Sequence, residues 1–81
     1  MKNIYFEEYL KNLNLNERQI IAVLYVKEHG EINNSKYQKI NNVGRTASTE
    51  ELHDLANKDI FTRLGKAGRG IKYILSNVID R

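Results

Sequence analysis

The sequence predicts a mainly α-helical domain closed by a small β-hairpin. Three core helices, an N-terminal helix and a two- to three-stranded antiparallel sheet are expected. Three observations carry that expectation. Apolar residues recur at three- and four-residue intervals from Phe6 to Ala56. Asparagine and glycine punctuate those stretches at Asn14, Gly30, Asn41-Asn42 and Gly44. After Asp59 the period falls to two, in Ile60–Leu64 and Ile71–Leu75, on either side of a loop with three glycines.

A chain of 81 residues is one domain. A domain this short buries only about 60% of its unfolded surface, so modest stability is expected. Charged residues make up 28% of the chain, and no apolar run reaches the roughly 20 residues of a spanning helix. There is no cysteine, which excludes disulfides and thiolate metal sites. Glu7 and Glu8 break up the apolar residues near the N-terminus, so no signal-peptide core is read there. The expected location is cytoplasmic.

The elements follow in order. Residues 1–14 are read as an N-terminal helix and linker, with Phe6, Tyr9, Leu10 and Leu13 on one stripe. That stripe either packs on the domain's own core or serves a partner, including a second copy of the chain. Asn16 and Gln19 are spaced as a capping box, with Leu15 placed to staple against Ile20. Ile20, Ile21, Leu24, Val23 and Val26 are expected to form a wide buried face, ended by Gly30. His29 is read as a surface residue at the helix end. Glu31-Ile32 is one short strand. Asn33 or Asn34 caps the next helix, which turns Tyr37 and Ile40 inward. Asn41-Asn42 makes a turn plugged by Val43. Gly44 opens the last helix, GRTASTEELHDLANKD, with Ser48, Leu52, Leu55 and Ala56 on its core side.

Residues 60–75 are read as a hairpin around the loop Gly65–Gly70. Ile71, Tyr73 and Leu75 share one face, and Phe61 and Tyr73 lie across from each other. Gly65 and Gly70 have the spacing of a phosphate-binding loop, but Ile71-Lys72 follows where Lys-Ser or Lys-Thr is needed. The glycines more simply permit positive φ in a hairpin tip. Helix, turn, helix and hairpin in this order, over residues 15–76, give a winged helix-turn-helix. Residues 77–81 are a tail.

The net charge of +3 is mild, but its placement is uneven. Ile60–Leu75 carries Arg63, Lys66, Arg69 and Lys72 and no carboxylate. The candidate contacts to double-stranded DNA are Arg45, Thr46, Thr49, Glu50 and His53 on the last helix, with those four basic residues on the hairpin. Hydroxyls and methyls suit close approach to bases, and guanidinium and ammonium groups suit phosphates. Glu51 and Asp54 are ascribed to local helix electrostatics. A solvated amphipathic helix is the plainer reading, which the acidic pair Glu50-Glu51 favours. No catalytic, cofactor-binding or metal-ligating residue is expected, because no nucleophile–base spacing or HExxH accompanies His29 and His53.

Residues Leu15–Leu75 resemble the C-terminal winged-helix domain of the prokaryotic transcriptional regulators labelled helicase-related or RecG-related. The resemblance lies in Leu15–Gln19, in the Ile32–Tyr37 run and in Val43 with Arg45, Thr49 and Leu52. It continues in Gly68-Arg69-Gly70 followed by Tyr73 and Leu75. It implies DNA binding in transcription regulation, a recognition helix at about Gly44–Lys58, and upstream domains of a larger parent that include an AlbA-type region. The family usually has serine where Gly44 stands, and often a basic residue where Thr46 and Glu50 stand. A protein-interaction or dimerisation module of the same shape is the competing reading.

Overall fold

The structure is a computed structural model that describes residues 13–66 and 69–76, without the side chains of Lys66 and Arg69. The expected N-terminal stripe up to Leu10, the hairpin tip and the tail lie outside the described residues. Among the described residues three helices come first, α1 (Glu17–His29), α2 (Asn34–Asn41) and α3 (Arg45–Asn57). An antiparallel hairpin follows, β1 (Phe61–Lys66) and β2 (Arg69–Leu75).

The capping box forms as read. Asn16 Oδ1 accepts from the Gln19 amide at 2.8 Å, and the Asn16 amide donates to Gln19 Oε1 at 3.0 Å. Two orphan donors at the start of α1 are thereby satisfied. The buried face of α1 is narrower than expected. Gln19, Ile20, Ala22, Val23 and Val26 are buried, while Ile21 is 47% exposed and Leu24 only half-buried. At about 100° per residue, Ile21 lies nearly opposite the centre of that stripe. Its hydrophobicity alone had placed it inside. Gly30 ends the helix with φ +99°, a conformation that a side chain would strain.

Ile32 is fully enclosed and makes a single two-bond bridge to Tyr73, rather than a strand of its own. Its amide donates to Tyr73 O at 3.0 Å and its carbonyl accepts from the Tyr73 amide at 2.8 Å. Asn33, not Asn34, caps α2, accepting from the Lys36 amide at 2.8 Å. Tyr37 is fully buried and Ile40 half-buried. Asn42 adopts φ +52° at the end of α2, and Val43 packs against the core from the three-residue turn into α3. Ser48, Leu52 and Leu55 form the buried side of α3, with Ala56 packed beside them.

The last helix stops by an unusual choice of residue. Asp59 has φ +61°, with its amide donating to Ala56 O and the Ile60 amide to Leu55 O, each at 3.0 Å. This is the paired-bond arrangement in which glycine is ordinarily favoured.

The hairpin strands run further than the sequence suggested. β1 continues through Lys66 and β2 begins at Arg69, so the expected six-residue loop is largely ladder. Arg63 pairs with Tyr73 and Leu64 with Lys72, but Lys66 pairs with Arg69, one residue out of step. Gly65 therefore opposes two residues, Gly70 and Ile71, in a β-bulge. A Cβ on Gly65 would meet Gly70 O at 2.5 Å, and both glycines have positive φ. Tyr73 sits across from Arg63 rather than Phe61, and the Phe61 and Tyr73 rings meet diagonally at 6.1 Å. Ile71, Tyr73 and Leu75 do share the core-facing side.

Two glycine exchanges should have opposite signs in urea unfolding. Asp59→Gly relieves a left-handed position and should add about 0.5 kcal/mol. Gly65→Ala puts a methyl against backbone at positive φ and should cost at least about 2 kcal/mol.

Candidate nucleic-acid interface

The orientation of α3 is set by its carboxylates. Glu51 projects into the junction of all three helices. Arg18 Nε of α1 donates to both of its oxygens at 3.0 Å, and Arg18 Nη2 also pairs with Oε2. Asn16 Nδ2 donates to the same oxygen at 3.2 Å, and the buried Tyr37 hydroxyl of α2 donates to Oε1 at 2.5 Å. Gln19 Nε2 adds a second clamp, donating to Glu51 O at 3.1 Å and Asp54 Oδ2 at 2.9 Å. Lys58 closes on Asp54 at 3.0 Å. The expectation of merely local electrostatics for Glu51 and Asp54 is thus corrected. Their partners lie on α1 and α2 as well as one turn away on their own helix.

These contacts shift the titrations in consistent directions. The Arg18 guanidinium holds Glu51 below the usual carboxylate range, against the opposing effect of burial. Gln19 and then Lys58 do the same for Asp54. Burial, and then its bond to Glu51, push the Tyr37 hydroxyl far above its ordinary value.

With Glu51 and Asp54 turned inward, the outward stripe of α3 is Thr46, Glu50, His53 and Asn57, all exposed. Arg45 and Thr49 flank it on the hairpin side. Arg45 is exposed, and Thr49 is half-buried with its Oγ1 accepting from Asn34 Nδ2 at 3.0 Å. Between α3 and the hairpin lies a groove of about 500 Å³. Arg45, Thr49 and His53 line one wall and Arg63 the other, with Ile71 and Tyr73 beneath. No carboxylate lines it among the described residues.

The two described basic side chains of the hairpin, Arg63 and Lys72, point to opposite faces. Successive side chains on a strand alternate in direction. Arg63, paired with Tyr73, faces α3, whereas Lys72, paired with Leu64, faces away. Lys72 Nζ lies 3.0 Å from Glu31 Oε1, so the positive charge of the hairpin is partly neutralised from outside its own sequence. The side chains of Lys66 and Arg69 lie outside the described residues. Of the nine sequence-read contacts, the structure brings Arg45, Thr49, His53 and Arg63 together around the groove. It sets Thr46 and Glu50 on the adjoining outward stripe.

Sequence reasoning missed Asn33, Asn34 and Ser35, which complete the groove at the start of α2. A cap at Asn33 or Asn34 was legible, and the structure assigns it to Asn33. Their neighbourhood to Thr49 depends on the turn at Asn42–Gly44, which spacing alone does not reveal. No family model, curated protein or solved structure matches this chain. The interface is therefore argued from its own residues.

The Glu51 junction makes a two-part stability prediction. Tyr37→Phe keeps the ring and removes one donor to a carboxylate, at a cost of about 1–2 kcal/mol in urea unfolding. Glu51→Gln should cost most above the ordinary glutamate value of 4.5. A carboxyl whose folded pKa is depressed contributes stability that is full above the unfolded value and lost as pH falls through the folded one. The gap between wild type and Glu51→Gln should therefore be full above about pH 5 and narrow as pH falls below 4.5.

Proposed function

We propose that this domain is a winged-helix module that binds double-stranded DNA, with α3 in the major groove and the hairpin against the flanking backbone. The observation that carries the reading is the sorting of charge on α3. Two of its three carboxylates are held by Arg18, Tyr37, Gln19 and Lys58, which leaves an outward face of Thr46, His53 and Asn57 with Glu50 as its one carboxylate. Beside that face lies a groove with an arginine on each wall, Arg45 and Arg63. Thr46 and His53 suit base edges, while the arginines suit phosphates. The start of α2 borders the same groove, where backbone amides and asparagine side chains offer further phosphate donors.

The resemblance of Leu15–Leu75 to helicase-related transcriptional regulators supports the same reading. On that resemblance, the domain would be the C-terminal part of a larger cytoplasmic regulator. A homodimer joined through the N-terminal stripe would suit paired half-sites. In this reading Arg63 and Arg45 bear the backbone contacts, with Lys66 and Arg69 added at the hairpin tip. Lys72 contributes less, because Glu31 already engages it.

Titration of labelled duplex DNA by fluorescence anisotropy, from 50 to 200 mM salt, tests the proposal. Binding should weaken steadily with salt. Arg45→Ala and Arg63→Ala should each flatten the log–log slope by about 0.9, the share of one phosphate contact. Absence of binding at the lowest salt would reject the reading and favour the protein-interaction alternative. Sedimentation of the same samples would then show whether the chain self-associates.

A further inference from the structure

We propose that Glu50 is a sequence-selecting residue of α3, whose carboxylate accepts a hydrogen bond from the exocyclic amino group of a cytosine. The assignment rests on the DNA-binding reading above and gives that surface a base preference. Three carboxylates lie on α3, and their fates differ. Glu51 is held by Arg18, Asn16 and Tyr37, and Asp54 by Gln19 and Lys58. Glu50 is exposed and has no ion-pair or side-chain hydrogen-bond partner among the described residues. It is not part of the scaffold that orients the helix.

Its position is central. Thr46 is one turn before it and His53 one turn after, on the outward stripe farthest from Leu52 and Leu55. It stands in the first half of α3, the part of a recognition helix that meets base edges. A carboxylate there repels phosphates whatever the sequence, so it brings a general binder nothing. It becomes favourable where a base offers a donor without a neighbouring acceptor.

The major-groove edges of the bases differ in that respect. Guanine presents N7 and O6, both acceptors. Thymine presents O4 and a methyl. Adenine pairs its N6 donor with the N7 acceptor. Cytosine presents its N4 donor. An ionised carboxylate can only accept, so cytosine matches it best, adenine offers a donor beside the repulsive N7, and guanine and thymine oppose it. Thr46 and His53, with hydroxyl and imidazole groups, can serve adjacent bases without adding a second negative charge.

The test uses the full 81-residue chain, its Glu50→Gln and Glu50→Ala variants, and selection from a pool of randomised duplexes. Anisotropy titration then compares the best duplex with its three single-pair replacements at the position the variants alter. Wild type should favour cytosine there by about 5- to 150-fold. Glu50→Gln, whose amide both donates and accepts, should switch the preference to adenine at that position alone. Glu50→Ala should bind all four with similar affinity. If wild type shows no cytosine preference at any position, the assignment is wrong. It is equally wrong if both variants gain affinity by one common factor on all four duplexes, because Glu50 would then be repulsive only. If wild type binds no duplex at all, the DNA-binding reading itself falls and the assignment falls with it. The first two failures leave that reading standing.

Discussion

The carboxylate of Glu51 is the point on which the three helices agree. A charged group in a mostly enclosed position is tolerable only when its oxygens are well supplied with donors. Here one oxygen serves Arg18 and Tyr37, and the other Arg18 and Asn16. Each donor comes from a different place in the fold: a side chain on the first turn of α1, the capping residue ahead of it, and the buried face of α2. Rotating α3 about its axis would break all of these at once. The helix is therefore fixed in rotation as well as in position, and the residues it turns outward are fixed with it. Apolar packing of Leu52 and Leu55 alone would allow more slippage, because hydrophobic contact has no direction.

The same arrangement explains how a helix with three carboxylates can sit beside a groove lined by arginines. Two of the three carboxylates of α3 are internally paired, and the third, Glu50, stands on the solvent stripe outside the groove lining. Glu51 and Asp54 lie on the side facing α1, where their partners are. Arg45 and Arg63 are left to define the potential of the opposite side. The formal charge of a segment says little until its internal pairs are removed. Lys72 makes the same point with the other sign, since Glu31 engages it from the loop after α1.

How much of this was legible depended on the distance over which each signal acts. The Asn16–Gln19 box, the Asn33 cap, the Asn42 turn and the core side of α3 are local. Each depends on residues within one or two turns, and each appears where the spacing put it. Ile21 was misplaced because seven apolar residues in a row, 20–26, blur the helical phase. Only the packing of Ala22 and Val23 resolves which side is inside. The hairpin was found, but its bulge at Gly65 was not, because the register depends on which residues of the two strands meet. Glu51 was read as local because its partners Arg18 and Tyr37 lie 33 and 14 residues away. The groove was invisible for the same reason: its lining comes from α2, α3 and both strands, and no single stretch contains it.

The hairpin would be a loose arm if the chain reversal between its strands were its only attachment. It is not, because Ile32, fully enclosed, holds Tyr73 by a reciprocal pair of main-chain hydrogen bonds. Those two bonds staple the ribbon to the segment just ahead of α2, so helix and ribbon belong to one frame. The gap between them is a fixed gauge rather than an adjustable clamp. Prising it wider would sacrifice both bonds, each contributing about 0.5–1.5 kcal/mol, and uncover an isoleucine as well. Any occupant of the groove would meet walls whose spacing is set by main-chain bonds rather than by its own side chains.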